Sequence, residues 1–149
     1  MQIPSGFASA FKWLPVVLAL ALPGCSGGGS MAMFGTSETA TSLNGFRAAH
    51  GRGALRSDMS LAAMASSHAA DMARRNSLDH KGFREYRGPR GARAENVAFG
   101  CKDTACVIRQ WANSSGHRHN MLIPSLTRYG LASATSSSGR KYWALMLGE

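Results

Sequence analysis

The segment 142–147 is apolar at every position, and this pattern constrains the fold more than any other feature of the chain. It reads Tyr-Trp-Ala-Leu-Met-Leu. Successive side chains of a β-strand point to opposite faces of a sheet, so a strand without polar positions must be covered on both faces. Helices on each side of the sheet provide that cover. The sequence therefore predicts an α/β fold with helices on both faces of a sheet.

Helical spacing and capping residues predict four helices, and turn residues separate the remaining segments. The first predicted helix contains Leu43 and Phe46 and is ended by Gly51, and the second runs from Ser57 or Asp58 to Asn76. The third is capped by Asp103, and the short fourth runs from His117 to Leu122 and is stopped by Pro124. Residues 77–94 lose this periodicity and are predicted to form a loop. Residues 129–135 and 141–147 are predicted strands joined by a Ser-Ser-Ser-Gly turn.

The first 30 residues are expected to lie outside the fold. Lys12 precedes an apolar run from Leu14 to Leu22, which is typical of a secretory signal and is too short to cross a bilayer. The ending Leu22-Pro23-Gly24-Cys25 resembles a bacterial lipobox, in which the chain is cut before a cysteine that carries diacylglycerol. We therefore expect residues 1–24 to be a signal peptide, and residues 25–37 to be lipidated Cys25 followed by a Gly/Ser-rich tether.

Two other interpretations of this N-terminal region remain open. An ordinary cleaved signal would leave Cys25 without a role, and translation from Met31 would leave a cytoplasmic protein with the apolar run unexplained. A lipid anchor instead predicts an exported protein of the bacterial cell envelope, in the periplasm or at the outer membrane, that contacts the membrane through Cys25.

The other two cysteines, Cys101 and Cys106, form a natural pair if Cys25 is lipidated. Exported proteins meet an oxidising environment in which disulfides form. The C-x4-C spacing is not a common zinc spacing, and the chain has no second cysteine pair. A Cys101–Cys106 disulfide is therefore predicted.

The chain is basic, with 17 Lys and Arg against 8 Asp and Glu and a formal net charge of +9. Four arginines recur at intervals of three in the predicted loop, at Arg84, Arg87, Arg90 and Arg93. This pattern favours an anionic partner such as lipid phosphates, a cell-wall polymer or an envelope polysaccharide. A solvated arginine-rich loop is the alternative, and nucleic acid is not expected as a partner of an exported protein.

Several segments together resemble the CAP superfamily, the cysteine-rich secretory, antigen 5 and pathogenesis-related 1 proteins. They are Leu43–Gly51, Leu61–Ala73 with its His68-Ala69-Ala70-Asp71, Leu78-Asp79-His80, Ala94-Glu95-Asn96-Val97-Ala98, Trp111–Leu122 with Ser115-Gly116-His117-Arg118-His119-Asn120, and Tyr129-Gly130-Leu131 with Tyr142-Trp143. The short form of the Trp111 segment is similar to the compact bacterial branch. The resemblance implies that residues 38–149 form a three-layer α-β-α sandwich around a mainly antiparallel sheet.

The resemblance also implies a cleft, because members of this family have two histidines and two acidic residues there. His80, Glu95 and His117 match three of those positions. The second acid usually follows the tryptophan of the third helix by a few residues, where this chain has Asn113-Ser114-Ser115. The departure puts in doubt any mechanism that needs a second carboxylate.

Two chemistries are open for these three residues. Two imidazoles and a carboxylate with an open fourth position are a known zinc-ligand pattern, so His80 and His117 are candidate ligands of a weakly bound divalent ion, zinc or magnesium. The alternative is a hydrogen-bonded polar cluster that binds a ligand or only joins the segments. His68 is interpreted as a core histidine and His119 as a surface residue.

These observations favour a monomeric binding protein whose cleft holds a lipid-like or anionic envelope ligand. A metal-assisted hydrolase that uses the same cleft, and a purely structural envelope protein, are the alternatives. The chain has no nucleophile-elbow pattern, and no residue is assigned a catalytic role.

Overall fold

The computed structural model describes residues 41–149. The predicted signal peptide, the lipidation at Cys25 and the tether lie outside the described residues. No helix within residues 41–149 is both long and apolar enough to cross a bilayer.

The described part of the chain contains four α-helices and four strands. They are α1 (Leu43–Ala49), β1 (Arg56–Ser57), α2 (Met59–Arg75), β2 (Ala94–Phe99), α3 (Thr104–Ala112), α4 (Ser115–Met121), β3 (Arg128–Thr135) and β4 (Lys141–Gly148). Two predicted caps are confirmed, because the carboxylates of Asp58 and Asp103 accept backbone N–H bonds in the first turns of α2 and α3. Ser114 is in the cap position of α4, but its side chain makes no capping bond.

The prediction of an irregular loop over residues 77–94 is partly wrong. A π-helical turn covers Phe83–Arg87 and a 3-10 turn follows at Gly88–Arg90. The Arg87 guanidinium links these turns to the residues before them by donating to the carbonyl oxygens of Lys81 (2.9 Å) and His80 (3.4 Å). A polar side chain thus holds these turns, so apolar periodicity does not reveal them.

The four strands form one sheet in the order β1-β3-β4-β2. β1 pairs with β3 in parallel, whereas β3 pairs with β4 and β4 with β2 in antiparallel fashion. The predicted mainly antiparallel sheet is therefore confirmed. The Cys101–Cys106 disulfide is also present, in the connection between β2 and the first turn of α3.

Strand β4 is covered on both faces, as its sequence predicts. Tyr142, Ala144 and Met146 point into a core built with α2. Trp143, Leu145 and Leu147 point into a second core built with α1, α3 and α4. The alternation of side chains along one central strand thus produces the three-layer sandwich.

The packing of α2 on β3 leaves no room for a side chain at Gly130. A Cβ atom there would lie 2.1 Å from the backbone nitrogen of Ala62. Glycine at this position therefore lets α2 approach the sheet closely, and α2 carries His68 on the face that it buries.

Strand β2 is an edge strand, and side chains satisfy part of its free edge. The Trp111 indole N–H donates to the carbonyl oxygen of Val97 (3.2 Å), and the Asn120 amide donates to that of Glu95 (3.2 Å). These bonds fix α3 and α4 to the edge of the sheet and protect it from pairing with another strand. The Asn120 bond also brings α4 next to Glu95.

Candidate functional site

The site is built around the carboxylate of Glu95, which is only 4% exposed. Side chains along β2 point alternately to the two faces of the sheet, so the Glu95 side chain lies on the same face as that of Val97, which packs in the core built with α2. Arg87 holds it with two bonds, from Nε to Oε2 (2.5 Å) and from Nη2 to Oε1 (3.1 Å). Burial raises the pKa of Glu95, but the bonds from His80 and Arg87 outweigh burial and hold that pKa below its usual value. Glu95 is therefore ionised and charge-balanced.

His80 is fixed by the same carboxylate. Its Nδ1 lies 2.8 Å from Glu95 Oε1, and an ionised carboxylate only accepts hydrogen bonds, so Nδ1 is the donor. The side chain of His80 is 55% exposed and borders the cleft, and its Nε2 makes no hydrogen bond to residues 41–149. The bond to Glu95 raises the pKa of His80 above its usual value, although partial burial opposes the shift.

His68 is a third imidazole beside Glu95. It is buried as predicted, and its Nε2 lies 2.9 Å from the carbonyl oxygen of Asp79. The same nitrogen lies 3.8 Å from Glu95 Oε1, so His68 also belongs to the site. Burial lowers the pKa of His68, which keeps the ring neutral at neutral pH. In the sequence, His68 is recognisable only as a histidine on the apolar face of α2. This pattern predicts that His68 is buried, but it does not predict that Glu95 lies beside it.

The prediction that Arg84, Arg87, Arg90 and Arg93 form one surface for an anionic partner is wrong for Arg87. Arg87 is only 6% exposed and points inward to Glu95. The physical reason is the π-helical turn, whose i→i+5 bonding does not place residues three apart on one face. The other three arginines are exposed, and Arg90 stacks on the ring of Tyr86 at 3.8 Å.

His117 lies in the first turn of α4 and is half-buried. Its backbone oxygen accepts a bond from the side chain of Asn96 (3.0 Å), which in turn accepts from Asn120 (3.0 Å). Burial and the nearby charge of His80 lower the pKa of His117. Asn96 is completely buried, and sequence reasoning missed both asparagines as residues that position the second histidine.

The three residues that the resemblance implied border a single cavity of about 530 Å³. His80, Glu95 and His117 contribute to its wall from the start of the 77–94 segment, from β2 and from α4. Its remaining lining residues include Phe83, Arg93, Ser114, His119 and Asn120. Ser114 belongs to the stretch in which the family has its second acid. His119 is exposed, as predicted, and still reaches the rim of this cavity.

The donors do not fit a His2Glu metal centre. Both oxygens of Glu95 are already occupied by Arg87 and His80, so the site offers two imidazoles without a free carboxylate. Over residues 41–149, no group of three or more His, Cys, Asp or Glu side chains is placed to hold a metal ion. A divalent ion held by His80 and His117 alone stays a prediction, and no chemical step is derived from it.

Comparison with known proteins places this geometry in a family. The family model described as the cysteine-rich secretory protein family matches residues 41–147. The uncharacterized protein YkwD of Bacillus subtilis is 30% identical over 104 residues, which are 64% of this chain and 40% of that protein.

Two solved structures have a similar fold. An extracellular protein of Bacillus anthracis containing an SCP domain is 25% identical, with a TM-score of 0.52 over 70% of this chain and 37% of that one. An outer surface protein of Borrelia burgdorferi is 14% identical, with a TM-score of 0.60 over 72% of this chain and 86% of that one. This chain thus spans less than half the length of the two Bacillus proteins.

The coupling between the two cleft histidines predicts a pair of pKa changes. His80→Gln is expected to raise the pKa of His117, because it removes the positive charge that lowers it. Glu95→Gln is expected to lower the pKa of His80, because it removes the ionised acceptor. NMR titration of the imidazole rings measures both, with His50→Gln on the exposed end of α1 as the control. An unchanged His117 pKa in His80→Gln would contradict this arrangement.

The raised pKa of His80 also determines in which direction the stability of the protein changes with pH. Because the folded-state pKa of His80 is raised, its stabilising contribution is fully present below the unfolded pKa, about 6.5, and is lost as the pH rises through the higher folded value. The difference in free energy of unfolding between the wild type and His80→Gln is therefore expected to shrink from slightly acidic to alkaline pH.

Proposed function

The chain belongs to the cysteine-rich secretory protein family, and we propose that it is an exported binding protein whose cleft holds an anionic group of an envelope ligand. One observation carries the proposal. Among residues 41–149 one carboxylate borders the cleft, that of Glu95, and it has its charge balanced by Arg87 and is bonded through both oxygens. No unpaired carboxylate among the described lining residues is therefore left to repel an anion, and His80 and Arg93 can donate to it.

Two residues of the cleft, His80 and Arg93, can donate hydrogen bonds to an anionic group. His80 offers Nε2, and its raised pKa favours the protonated ring, which donates from both nitrogens. Arg93 is exposed beside it and makes only a surface ion pair with Glu149 (3.2 Å). Charge-assisted bonds from such groups to a phosphate or carboxylate are stronger than bonds between neutral partners.

A hydrolase would need a different arrangement of Glu95. A general base must have an oxygen free to take a proton from water, with a pKa near the working pH. Glu95 has neither property, because both oxygens accept bonds and its pKa is held below the usual value. Anion binding therefore suits this cleft better than hydrolysis.

Inorganic phosphate tests this proposal as the simplest anionic probe. Phosphate in the millimolar range is expected to shift the ring NMR signals of His80 and His117 in a saturable way, at constant ionic strength and with EDTA present to exclude metal effects. The shift of His117 is expected to weaken strongly in His80→Gln and to persist in Arg109→Gln, an exposed arginine of α3 that does not border the cleft. No saturable shift in the wild type, or equal losses in both variants, would contradict the proposal.

We also propose that the protein reaches the envelope as a lipoprotein anchored at Cys25. The Leu14–Cys25 pattern supports this, and so do the secretory character of the family and the extracellular location named for the Bacillus anthracis relative. The Cys101–Cys106 disulfide suits an oxidising compartment.

Mass measurement tests the anchor directly. Protein purified from membranes is expected to be a chain that begins at Cys25 and carries a diacylglycerol adduct. Cys25→Ala is expected to leave the membrane fraction, whereas Cys106→Ser, which changes a cysteine outside the lipobox-like segment, is expected to stay. A Cys25→Ala variant that remains quantitatively in the membrane would overturn the anchor.

A further inference from the structure

A second cavity of about 420 Å³ lies on the other side of α4 from the cleft. Its lining consists of three cationic or titratable residues, Arg52, Arg118 and His119, together with Ser115, Leu122, Ile123 and Pro124. Neither Arg52 nor Arg118 pairs with an acid in the described part of the chain. Arg118 Nη1 donates to the carbonyl oxygen of Ala112 (3.3 Å), so this guanidinium keeps its remaining N–H donors, as Arg52 does, for a ligand.

His119 borders both cavities, which makes them neighbours across a single helix. On α4 each residue advances the helix face by about 100°. His117 and Asn120 accordingly line the cleft, Ser115 and Arg118 line the second cavity, and His119 lies on the ridge between the two sides. A ligand that crosses this ridge contacts both cavities.

The two cavities share a strongly positive environment. The chain has no Asp or Glu from Thr104 to Gly148, and none from Leu43 to Ser57. These two stretches supply the whole lining of the second cavity and the α4 side of the cleft. Among the described residues Glu95 is the one acid in either lining, and Arg87 balances its charge; Glu149 lies outside both linings and forms a surface pair with Arg93. The surface therefore selects a ligand with several negative charges.

We propose that the two cavities form one groove that binds a linear acidic polysaccharide across α4, an inference that rests on the proposed anion site and extends it. A ligand that touches both cavities must span a helix about 10 Å in diameter, which requires a chain rather than a single small anion. Leu122, Ile123 and Pro124 lie beside the arginines and offer apolar contact to the C–H faces of sugar rings, as Phe83 does in the cleft. A flexible chain can also follow the surface from one cavity over the His119 ridge into the other, which a flat bilayer surface cannot do.

The test compares a long oligogalacturonate with galacturonic acid and with neutral dextran of the same length, by calorimetry on the full chain. The oligomer is expected to bind more tightly than the monomer and to weaken as salt is added, whereas dextran is expected not to bind. Arg52→Gln with Arg118→Gln is expected to weaken oligomer binding by about tenfold or more, because two charge-assisted contacts are lost. The matched control is Arg56→Gln with Arg109→Gln, which removes the same charge from exposed positions outside both linings and is expected to change affinity by less than about twofold.

The outcomes separate this inference from the proposed anion site. If the Arg52 and Arg118 variant keeps full affinity, or if both double variants lose affinity equally, the groove is wrong. If phosphate still shifts the cleft histidines while the oligomer does not bind, the groove fails and the anion site stands. Binding to vesicles of anionic lipid without binding to the oligomer would overturn the polysaccharide in favour of a membrane surface.

Discussion

A carboxylate buried at the edge of the sheet is the constraint on which the rest of the site depends. The Glu95 side chain is 1% exposed, and an isolated charge at such a position costs far more than a folded domain can tolerate. Arg87 removes that cost by approaching with both Nε and Nη2. To do so, the chain forms a π-helical turn at Phe83–Arg87 and directs an arginine inward from an otherwise exposed segment. The path of this segment in turn places His80 at the cleft.

Local sequence patterns are sufficient to predict the layers of the fold. Strand β4 has no polar position from Tyr142 to Leu147, so its alternating side chains require a core on each face. Asp58 and Asp103 mark the starts of α2 and α3 because a capping carboxylate acts within three residues of its own position. Interactions of this range are visible in a sequence, and the structure confirms them.

The site is only partly predictable, because its key contacts join distant segments. The resemblance indicates His80, Glu95 and His117 as site residues, but it does not show that Arg87 is hydrogen-bonded to the Glu95 carboxylate. An arginine in a basic loop is usually solvated, and only its partner eight residues away makes it a buried ion. Asn96 escapes prediction for a similar reason, since its amide supports His117 from β2 across 21 residues. Such contacts weigh against the alternative of a hydrolase, because they occupy the carboxylate that would act on water.

Equilibrium unfolding of Arg87→Gln tests most directly whether the buried ion pair determines the site. Arg90→Gln is the matched control, because Arg90 belongs to the same segment, is exposed, and makes only surface contacts. Breaking a buried pair leaves an uncompensated charge, so Arg87→Gln is expected to lose about 3–5 kcal/mol of unfolding free energy and Arg90→Gln less than about 1 kcal/mol. Similar small losses in both variants would show that Glu95 does not depend on Arg87, and would contradict a cleft built on that ion pair.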